Sequence, residues 1–293
     1  MKIIESIEEV QEYCKELKKQ GKTAAIIDTF GDLHMGHTSV INTAKSNADA
    51  VILSVWHSLR QHSPVDHLNK PENLKENLEN LLKYKQEKFN SDVELCELNK
   101  VDLFWNFIDE WDFLCEPDIV TPVLTPSLKQ FLEKHYRSSN CNIQVWIQIL
   151  KTVKPDIIVL GEKDFYQKTI LSFAINALNI PVEVVISPTV RDSDGIAYSS
   201  RNKFLSSGER RRAAYVYKTL KEISEWSSYP TIEEIKKHFK DVMENVRARQ
   251  VFIDIYENMT LKPMITVDKE ATIVVAAQIG EVCIWDSIGI TPH

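Results

Sequence analysis

Two histidines three residues apart, His34 and His37, are the first residues of the chain whose types and spacing suggest chemistry. They lie in the sequence Gly-Asp-Leu-His-Met-Gly-His at 31–37, after an apolar run at 23–27 and before apolar residues at helical spacing. This pattern predicts a buried strand, a glycine-containing turn and the start of a helix. A helix start attracts anions, and two imidazoles add donors that can follow a growing phosphate charge. The sequence therefore predicts a phosphate-binding turn, and the alternative is a surface turn with two incidental histidines.

A lysine and a glutamine mark a second turn, residues 161–167, directly after the predicted strand 156–160. Ligands of open parallel sheets bind beyond the carboxyl ends of the strands, so this turn and the histidine turn could face one crevice. Lys163 would neutralise a phosphate or a carboxylate, and Gln167 would orient a substrate through its amide. The alternative is an exposed turn lysine that binds nothing.

Two hydroxyls and a guanidinium follow one another in a third segment, residues 191–202. Ser199 and Ser200 would each donate a hydrogen bond, and Arg201 would add a charged fork that matches phosphate oxygens. This run suits a triphosphate. From the segment alone, a hydrogen-bonded loop that closes a strand is the alternative.

Alternating strands and helices are needed to position these turns. The pattern predicts an α/β fold with a Rossmann-like, doubly wound parallel sheet and right-handed crossovers. The segment 92–99 shows no clear periodic role. The predicted helices are at 6–20, 36–47, 72–88, 127–135, 143–153 and 164–178, and the predicted strands are at 23–28, 50–56, 101–105, 156–160 and 182–186.

The pattern changes near residue 203. This change predicts a nucleotide-binding catalytic domain at 1–203 and a smaller C-terminal α+β domain at 204–293. The elements predicted there are helices at 206–224 and 231–247, a linker at 227–230, and strands at 251–257, 271–277 and 281–286.

Composition indicates a globular protein without an obvious affinity for polyanions. The 293 residues are 43% hydrophobic and 26% charged with a net charge of −7, which leaves no overall basic surface for nucleic acid. The five cysteines are scattered and form no C-x-x-C pair, so neither a disulfide framework nor a zinc site is predicted. With no signal-peptide pattern and no apolar run of membrane-spanning length, we expect a cytoplasmic protein without membrane or nucleic-acid partners.

Together the three segments resemble the pantothenate synthetase (pantoate–β-alanine ligase) family, which belongs to the HIGH-type nucleotidyltransferase superfamily. Residues 31–37 are similar to its G-x-L-H-x-G-H motif, and residues 161–167 differ from its G-E-K-D-[FY]-Q-Q motif only at Tyr166. Residues 191–202 resemble its R-x-x-D-G-L-A-x-S-S-R-N motif, and residues 274–286 resemble its closing A-A-x-x-G-x-x-R-L-I-D stretch. The resemblance extends over nearly the whole chain.

The resemblance implies an enzyme that uses ATP to activate a carboxylic acid as an acyl-adenylate, releases pyrophosphate, and transfers the acyl group to an amine. Both reactants are anionic, so positioning and charge neutralisation should dominate catalysis. The catalytic residues it implies are His34, His37, Lys163, Ser199, Ser200 and Arg201. The nucleotide-binding residues it implies are Thr29, Phe30, Gly31, Gly36, Gly161 and Asp164, and the substrate-binding residues are Gln61, Arg137 and Gln167.

The same resemblance implies Mg²⁺ on the phosphates of ATP, since magnesium prefers oxygen ligands and often shares them with a substrate. Glu76 is the metal-side candidate, with a solvated helix glutamate as the alternative. The expected partners are a small-molecule acid and an amine, and family analogy implies a homodimer. The C-terminal domain would close over the ATP site as a lid.

The resemblance is weakest in the segments expected to hold the acid. The family's P-T-M is Asp-Thr-Phe at 28–30, its F-V-N-P-x-Q-F loop is Trp-His-Ser-Leu-Arg-Gln-His at 56–62, and extra residues occur around 88–100. Asp28 would repel a carboxylate substrate unless a cation such as Arg60 pairs with it; the alternative is a side chain that points away from the acid. The changes favour a pantoate enzyme with rearranged contacts or a related ligase or nucleotidyltransferase for a more polar acid. A nucleotide-binding protein without catalysis is the third hypothesis.

Overall fold

Two compact units make up the chain in a computed structural model, which describes residues 1–56, 87–107, 120, 123–126, 128–129, 140–258 and 261–292. The first unit consists of Met1–Glu162 and Ile170–Pro188, and the second consists of Lys163–Thr169 and Thr189–His293. The domain boundary placed after residue 203 and the lid remain predictions.

A six-stranded parallel sheet forms the centre of the first unit, in the strand order β1-β4-β3-β2-β5-β6. Its strands are β1 (Lys2–Ile4), β2 (Ala24–Thr29), β3 (Ala50–Trp56), β4 (Leu103–Phe107), β5 (Ile157–Gly161) and β6 (Glu183–Ser187). From β2 the chain adds strands toward one edge, and from β5 it adds them toward the other. The sheet therefore has a topological switch point between β2 and β5, where open α/β sheets bind ligands.

Helices cover this sheet because its central strands are buried on both faces. They are α1 (Ile7–Lys19), α2 (Met35–Asn47), α3 (residues 87–98), α4 (Asn140–Val153) and α5 (Phe165–Ala177). Ile41 and Ala44 of α2 pack with Ala25 and Ile27 of β2 in one core cluster. The α/β fold expected from the sequence is confirmed.

Helix α3 corrects the sequence-based view of residues 92–99, which had no assigned role. Its buried face consists of Phe89, Asp92, Val93 and Cys96, at spacings typical of a helix. An aspartate that is only 3% exposed interrupts the apolar pattern on this face, and that interruption concealed the helical period.

Strand β4 begins at Leu103, two residues later than predicted. Lys100 has a φ of 54°, so the chain is still turning at this position, and the Asp102 carboxylate accepts the N–H of Val51 at 2.8 Å just before the strand. Most of the predicted helices at 72–88 and 127–135 lies outside the described residues. Across the described part of the chain, no helix has the length and apolar character needed to cross a membrane.

An antiparallel sheet in the order β7-β8-β9 and two helices form most of the second unit. These elements are a 3₁₀ helix (Ser200–Phe204), α6 (Ser207–Ser224), α7 (Ile232–Asn245), β7 (Arg249–Glu257), β8 (Ala271–Ile279) and β9 (Val282–Ile290). Both α-helices begin with a capping box, Ser206 with Glu209 and Thr231 with Glu234. Phe239 lies at the centre of the core with no exposed surface. The predicted smaller α+β part is confirmed.

Candidate active site

The turn after β2 carries the two histidines and contains two residues in the left-handed region. Gly31 has a φ of 81° and Asp32 has a φ of 54°; glycine adopts this conformation without penalty, and aspartate tolerates it. The buried Thr29 hydroxyl accepts the N–H of Gly31 at 2.9 Å, which closes the turn at the end of the strand. The chain then enters α2 with His34 as the N-cap.

His34 and His37 each use one ring nitrogen to hold the start of α2. Nδ1 of His34 accepts the N–H of Gly36 at 3.1 Å, and Nδ1 of His37 accepts the N–H of His34 at 3.2 Å. The two ring centroids lie 4.1 Å apart. Because a neutral imidazole carries one proton, an accepting Nδ1 places that proton on Nε2. Both Nε2 atoms are therefore hydrogen-bond donors.

These contacts reduce the number of backbone N–H groups that the start of α2 could offer to an anion. The N–H groups of His34 and Gly36 are bonded to imidazoles instead. The positive end of the helix dipole remains. In addition to the helix dipole, this turn has the two Nε2–H groups as hydrogen-bond donors.

Lys163 begins the second unit. Its ammonium donates to the carbonyl oxygen of Tyr198 at 3.0 Å, and the hydroxyl of Ser287 on β9 donates to the Lys163 carbonyl oxygen at 3.4 Å. Lys163 is half-buried, as is Gln167, whereas Asp164 is exposed. Lys163 is therefore bound to the residue that directly precedes Ser199.

The loop 191–202 is held in shape by Arg191. Its guanidinium makes a two-pronged ion pair with Asp286 of β9, at 2.6 and 2.8 Å, and donates to the carbonyl oxygen of Gly195 at 3.2 Å. The same group lies 3.4 Å from the centre of the Tyr217 ring. Such a fork–fork contact stacked on an aromatic ring fixes an arginine in one orientation.

The predicted phosphate-binding residues follow at the end of this loop. The Ser199 hydroxyl accepts the N–H of Arg201 at 3.3 Å and caps the 3₁₀ helix, and Ser200 and Arg201 lie in its first turn. All three side chains are half-buried. The second unit thus brings Lys163 together with the Ser-Ser-Arg run, within one hydrogen-bonded segment.

The first unit places the remaining nucleotide-binding candidates at the switch point. Gly161 ends β5, next to β2, and the histidine turn follows β2. The candidates in the β2 segment are Thr29, Phe30, Gly31 and Gly36, of which Thr29 is buried and the others are half-buried. Gln61, Glu76, Arg137 and Arg60 lie outside the described residues.

Asp28 is the only residue of β2 with an ionisable side chain, and its carboxylate is buried. Both carboxylate oxygens are buried without a hydrogen bond among the described residues, and so are Ser54 Oγ, Trp146 Nε1 and Gln144 Oε1. Ser54 is the partner of Asp28 in the register of β2 and β3. Burial raises the pKa of Asp28 to about 7, and the proximity of Ser54 and Trp146 opposes this shift. The carboxyl group therefore keeps its proton up to about pH 7.

No group of three or more histidine, cysteine, aspartate or glutamate side chains that could hold a metal ion occurs in the described ranges. The described side chains thus do not by themselves form a magnesium site.

Two contributors to this geometry were not found from the sequence. Asp286 was noted only as part of a closing motif, and its pairing with Arg191 joins segments 95 residues apart. Asp92, on α3, accepts two backbone N–H groups of the histidine turn. The one sequence signal is that Asp92 lies at helical spacing from Phe89 and Cys96, and its burial becomes visible only in the structure.

A parallel sheet with a histidine turn at its switch point, together with a small antiparallel unit, defines a Rossmann-like α/β protein of the nucleotide-binding type. The family model for pantoate-beta-alanine ligase matches residues 2–289. The chain belongs to that family.

Relatives and solved structures agree with this assignment. The pantothenate synthetases of Thermosipho africanus and Marinobacter nauticus are each 30% identical to this chain, covering 98% and 99% of it and 99% and 100% of their own lengths. Pantothenate synthetase from Thermus thermophilus superimposes with a TM-score of 0.79 at 23% identity over 100% of both chains. Pantoate-beta-alanine ligase from Francisella tularensis, complexed with beta-gamma ATP and beta-alanine, superimposes with a TM-score of 0.67 at 23% identity over 98% of this chain and 97% of its own. At these identities the structures show the shared fold.

Proposed function

We propose that this protein is an ATP-dependent pantoate–β-alanine ligase. A carboxylate oxygen of pantoate attacks the α-phosphorus of ATP, giving pantoyl-adenylate and pyrophosphate. The amine of β-alanine then attacks the activated carbonyl carbon, giving pantothenate and AMP. The observation that carries this proposal is the match of the family model to residues 2–289.

We assign His34 and His37 to the triphosphate. Their Nε2–H groups donate hydrogen bonds, and their accepting Nδ1 atoms fix the orientation of both rings. Donors fixed before the reaction need little reorganisation as negative charge moves onto the leaving pyrophosphate. The positive end of the α2 dipole acts in the same direction.

We assign Lys163 to the reacting carboxylate and the α-phosphate, and Ser199, Ser200 and Arg201 to the β- and γ-phosphates. The Lys163 ammonium now donates to the neutral carbonyl of Tyr198. A contact with an anionic oxygen is charge-assisted and about twice as strong, so substrates would draw this ammonium away from the carbonyl.

The remaining assignments follow the family resemblance. The nucleotide is bound by Thr29, Phe30, Gly31, Gly36, Gly161 and Asp164, and the substrates by Gln61, Arg137 and Gln167. Magnesium would accompany ATP and would neutralise phosphate charge; Glu76 is the side chain that would lie near it. A homodimer in the cytoplasm completes the proposal.

A second candidate function keeps this chemistry but uses a more polar acid. The observation that favours it is the buried Asp28 carboxyl, which makes no hydrogen bond among the described residues although Ser54 and Trp146 lie near it. A buried polar group without a partner costs about 1–3 kcal/mol, and a substrate hydroxyl or amine would remove that cost. Pantoate and other hydroxy or amino acids should therefore be compared as substrates.

ATP–pyrophosphate exchange tests the first half-reaction directly. Exchange should require an acid, and Lys163→Ala should abolish it while leaving the circular dichroism spectrum and the melting temperature unchanged. Lys218→Ala is the matched control, because Lys218 is an exposed lysine of α6 in the same unit. Exchange at the wild-type rate in Lys163→Ala would refute the assignment of this lysine.

Amide formation distinguishes the candidate functions. Pantothenate formed from pantoate, ATP and β-alanine supports the first function. Exchange with another acid and none with pantoate supports the second. ATP binding without exchange for any acid in the panel would refute both and favour a nucleotide-binding protein that has lost catalysis.

A further inference from the structure

The carboxylate of Asp92 on α3 holds the turn that precedes the two histidines. Its Oδ2 accepts the N–H of Asp32 at 3.0 Å, and its Oδ1 accepts the N–H of Leu33 at 2.8 Å. Asp92 is only 3% exposed. One buried side chain therefore supplies both acceptors for two consecutive peptide groups, which fixes the orientation of these peptides as well as their position.

The two hydrogen bonds to Asp92 restrain a turn whose backbone conformation is unfavourable. Asp32 has a φ of 54° directly after Gly31 at 81°, and a non-glycine residue in the left-handed region persists only where its surroundings hold it. Lys88, also on α3, lies 3.3 Å from the Asp32 carboxylate and adds a second contact from the same helix. Leu33, the second residue bound by Asp92, directly precedes His34.

We propose that Asp92 is a positioning residue for adenylate formation: by binding the peptide N–H groups of Asp32 and Leu33, it fixes the turn that aims the Nε2–H donors of His34 and His37. The inference rests on the proposed function for its kinetic consequence. Its geometric part, the coupling between Asp92 and the histidine rings, stands on the hydrogen bonds of the turn. Asp92 itself need not touch a substrate.

A general stabilising role is the competing explanation, and Asp156 provides a matched control for it. Its Oδ2 accepts the N–H of Ala24 at 2.8 Å, which is the same type of bond in the same unit. The two aspartates hold opposite ends of β2, and only Asp92 holds the end that leads into the histidine turn. At equal folded fraction, a loss of stability alone should leave the kcat of both variants alike.

Asp92→Asn tests the proposal while preserving volume and burial. The asparagine has one acceptor oxygen, so its amide N–H₂ group faces one of the two peptide N–H donors, and that donor loses its acceptor. We expect the kcat of ATP–pyrophosphate exchange to fall about 10- to 100-fold, the range produced by small misplacements of reacting groups. The KM for ATP should change less. Asp156→Asn should keep the wild-type kcat.

The pH dependence supplies a readout that a purely structural role would not change. Burial raises the pKa of Asp92 to about 6, against the lowering effect of the bonds from Leu33 and Asp32. The Asp32 carboxylate raises this pKa further and Lys88 lowers it; the Cys96 thiol, one turn along α3, is the other titratable group affected. A protonated Asp92 resembles asparagine, so the ratio of wild-type to Asp92→Asn kcat should fall toward one below about pH 6. Histidine titrations common to both proteins cancel in this ratio.

A measurement without turnover separates this proposal from the proposed function. The imidazole C–H proton resonances of His34 and His37, assigned with His34→Gln and His37→Gln, should shift in Asp92→Asn and remain in place in Asp156→Asn. Unchanged resonances in Asp92→Asn would overturn the positioning role, and so would equal kcat values for the two variants at equal folded fraction. Absence of exchange in the wild type would instead count against the ligase function alone.

Discussion

Replacing Asp28 by asparagine should stabilise the first unit at neutral and alkaline pH. The carboxylate oxygens of Asp28 are buried without a hydrogen bond among the described residues, and burial raises the pKa from 3.8 to about 7. The folded state therefore keeps the proton over a range in which the unfolded chain releases it. Between these two pKa values the folded state binds more protons, so its stability falls as the pH rises.

The magnitude follows from the two pKa values. A pKa of about 7 in place of 3.8 corresponds to at most about 4 kcal/mol of unfolding free energy, since a tenfold change in a protonation equilibrium is worth about 1.4 kcal/mol. Below pH 3.8 the group is neutral in both states, and the full stability is present. That stability is lost as the pH rises toward 7 and does not fall further above it. Asparagine cannot ionise and removes this dependence.

Equilibrium urea unfolding, followed by tryptophan fluorescence at several pH values from about 4 to 8, measures the effect. The difference in unfolding free energy between Asp28→Asn and the wild type should rise with pH, by at most about 4 kcal/mol, because all other groups cancel. Asp49→Asn is the control, since Asp49 is exposed and hydrogen bonds from Thr23 lower its pKa. The wild type should have a higher free energy of unfolding than Asp49→Asn above the ordinary carboxyl pKa, and this difference should vanish in acid. A difference for Asp28→Asn that is constant with pH would refute the reasoning.

Two further substitutions test the second unit. Asp286→Leu removes the carboxylate that pairs with the Arg191 guanidinium and should lower the free energy of urea unfolding by about 3–5 kcal/mol. The double variant Arg191→Met/Asp286→Leu should recover most of that stability but not ATP–pyrophosphate exchange. If exchange returned together with stability, the ion pair would not be what shapes the 191–202 loop. Phe239→Ala removes a fully buried ring and should cost about 3–5 kcal/mol, with unchanged KM values measured below the unfolding transition. A cost below about 1 kcal/mol would mean that the core around Phe239 closes over the cavity.

The sequence predicted those parts of the fold that are encoded locally. The β2 strand, the histidine turn and the start of α2 follow from an apolar run, a glycine and helical spacing, all close together in the chain. The capping boxes of α6 and α7 are likewise visible as Ser-x-x-Glu and Thr-x-x-Glu. Residue roles beyond this level remain predictions, because the pattern of residue types does not show what a side chain binds.

What the sequence could not predict depends on contacts between distant segments. From the sequence alone, Asp92 would be taken for a surface residue, because the turn that it holds lies 60 residues earlier in the chain. Asp28 was expected to repel a carboxylate substrate unless a cation such as Arg60 pairs with it, and that pairing stays a prediction because Arg60 lies outside the described residues. The sequence did not show that burial raises the pKa of Asp28 to about 7. Likewise, the sequence did not show that the N–H groups of His34 and Gly36 are bonded to imidazoles, because each histidine ring folds back onto the backbone.

The bonding of His34 and His37 divides each ring into two functional ends. Nδ1 belongs to the backbone of the helix start, and Nε2, on the other side of the ring, carries the proton that can be donated elsewhere. An asparagine can imitate the first end with its oxygen, but its only donor sits on the same carbon atom and cannot be presented across a ring. Amide side chains at these positions would therefore preserve the architecture and give up the donor. A histidine motif of this kind can be lost with its fold intact, and a protein that has lost it would keep the shape of an enzyme without its reaction.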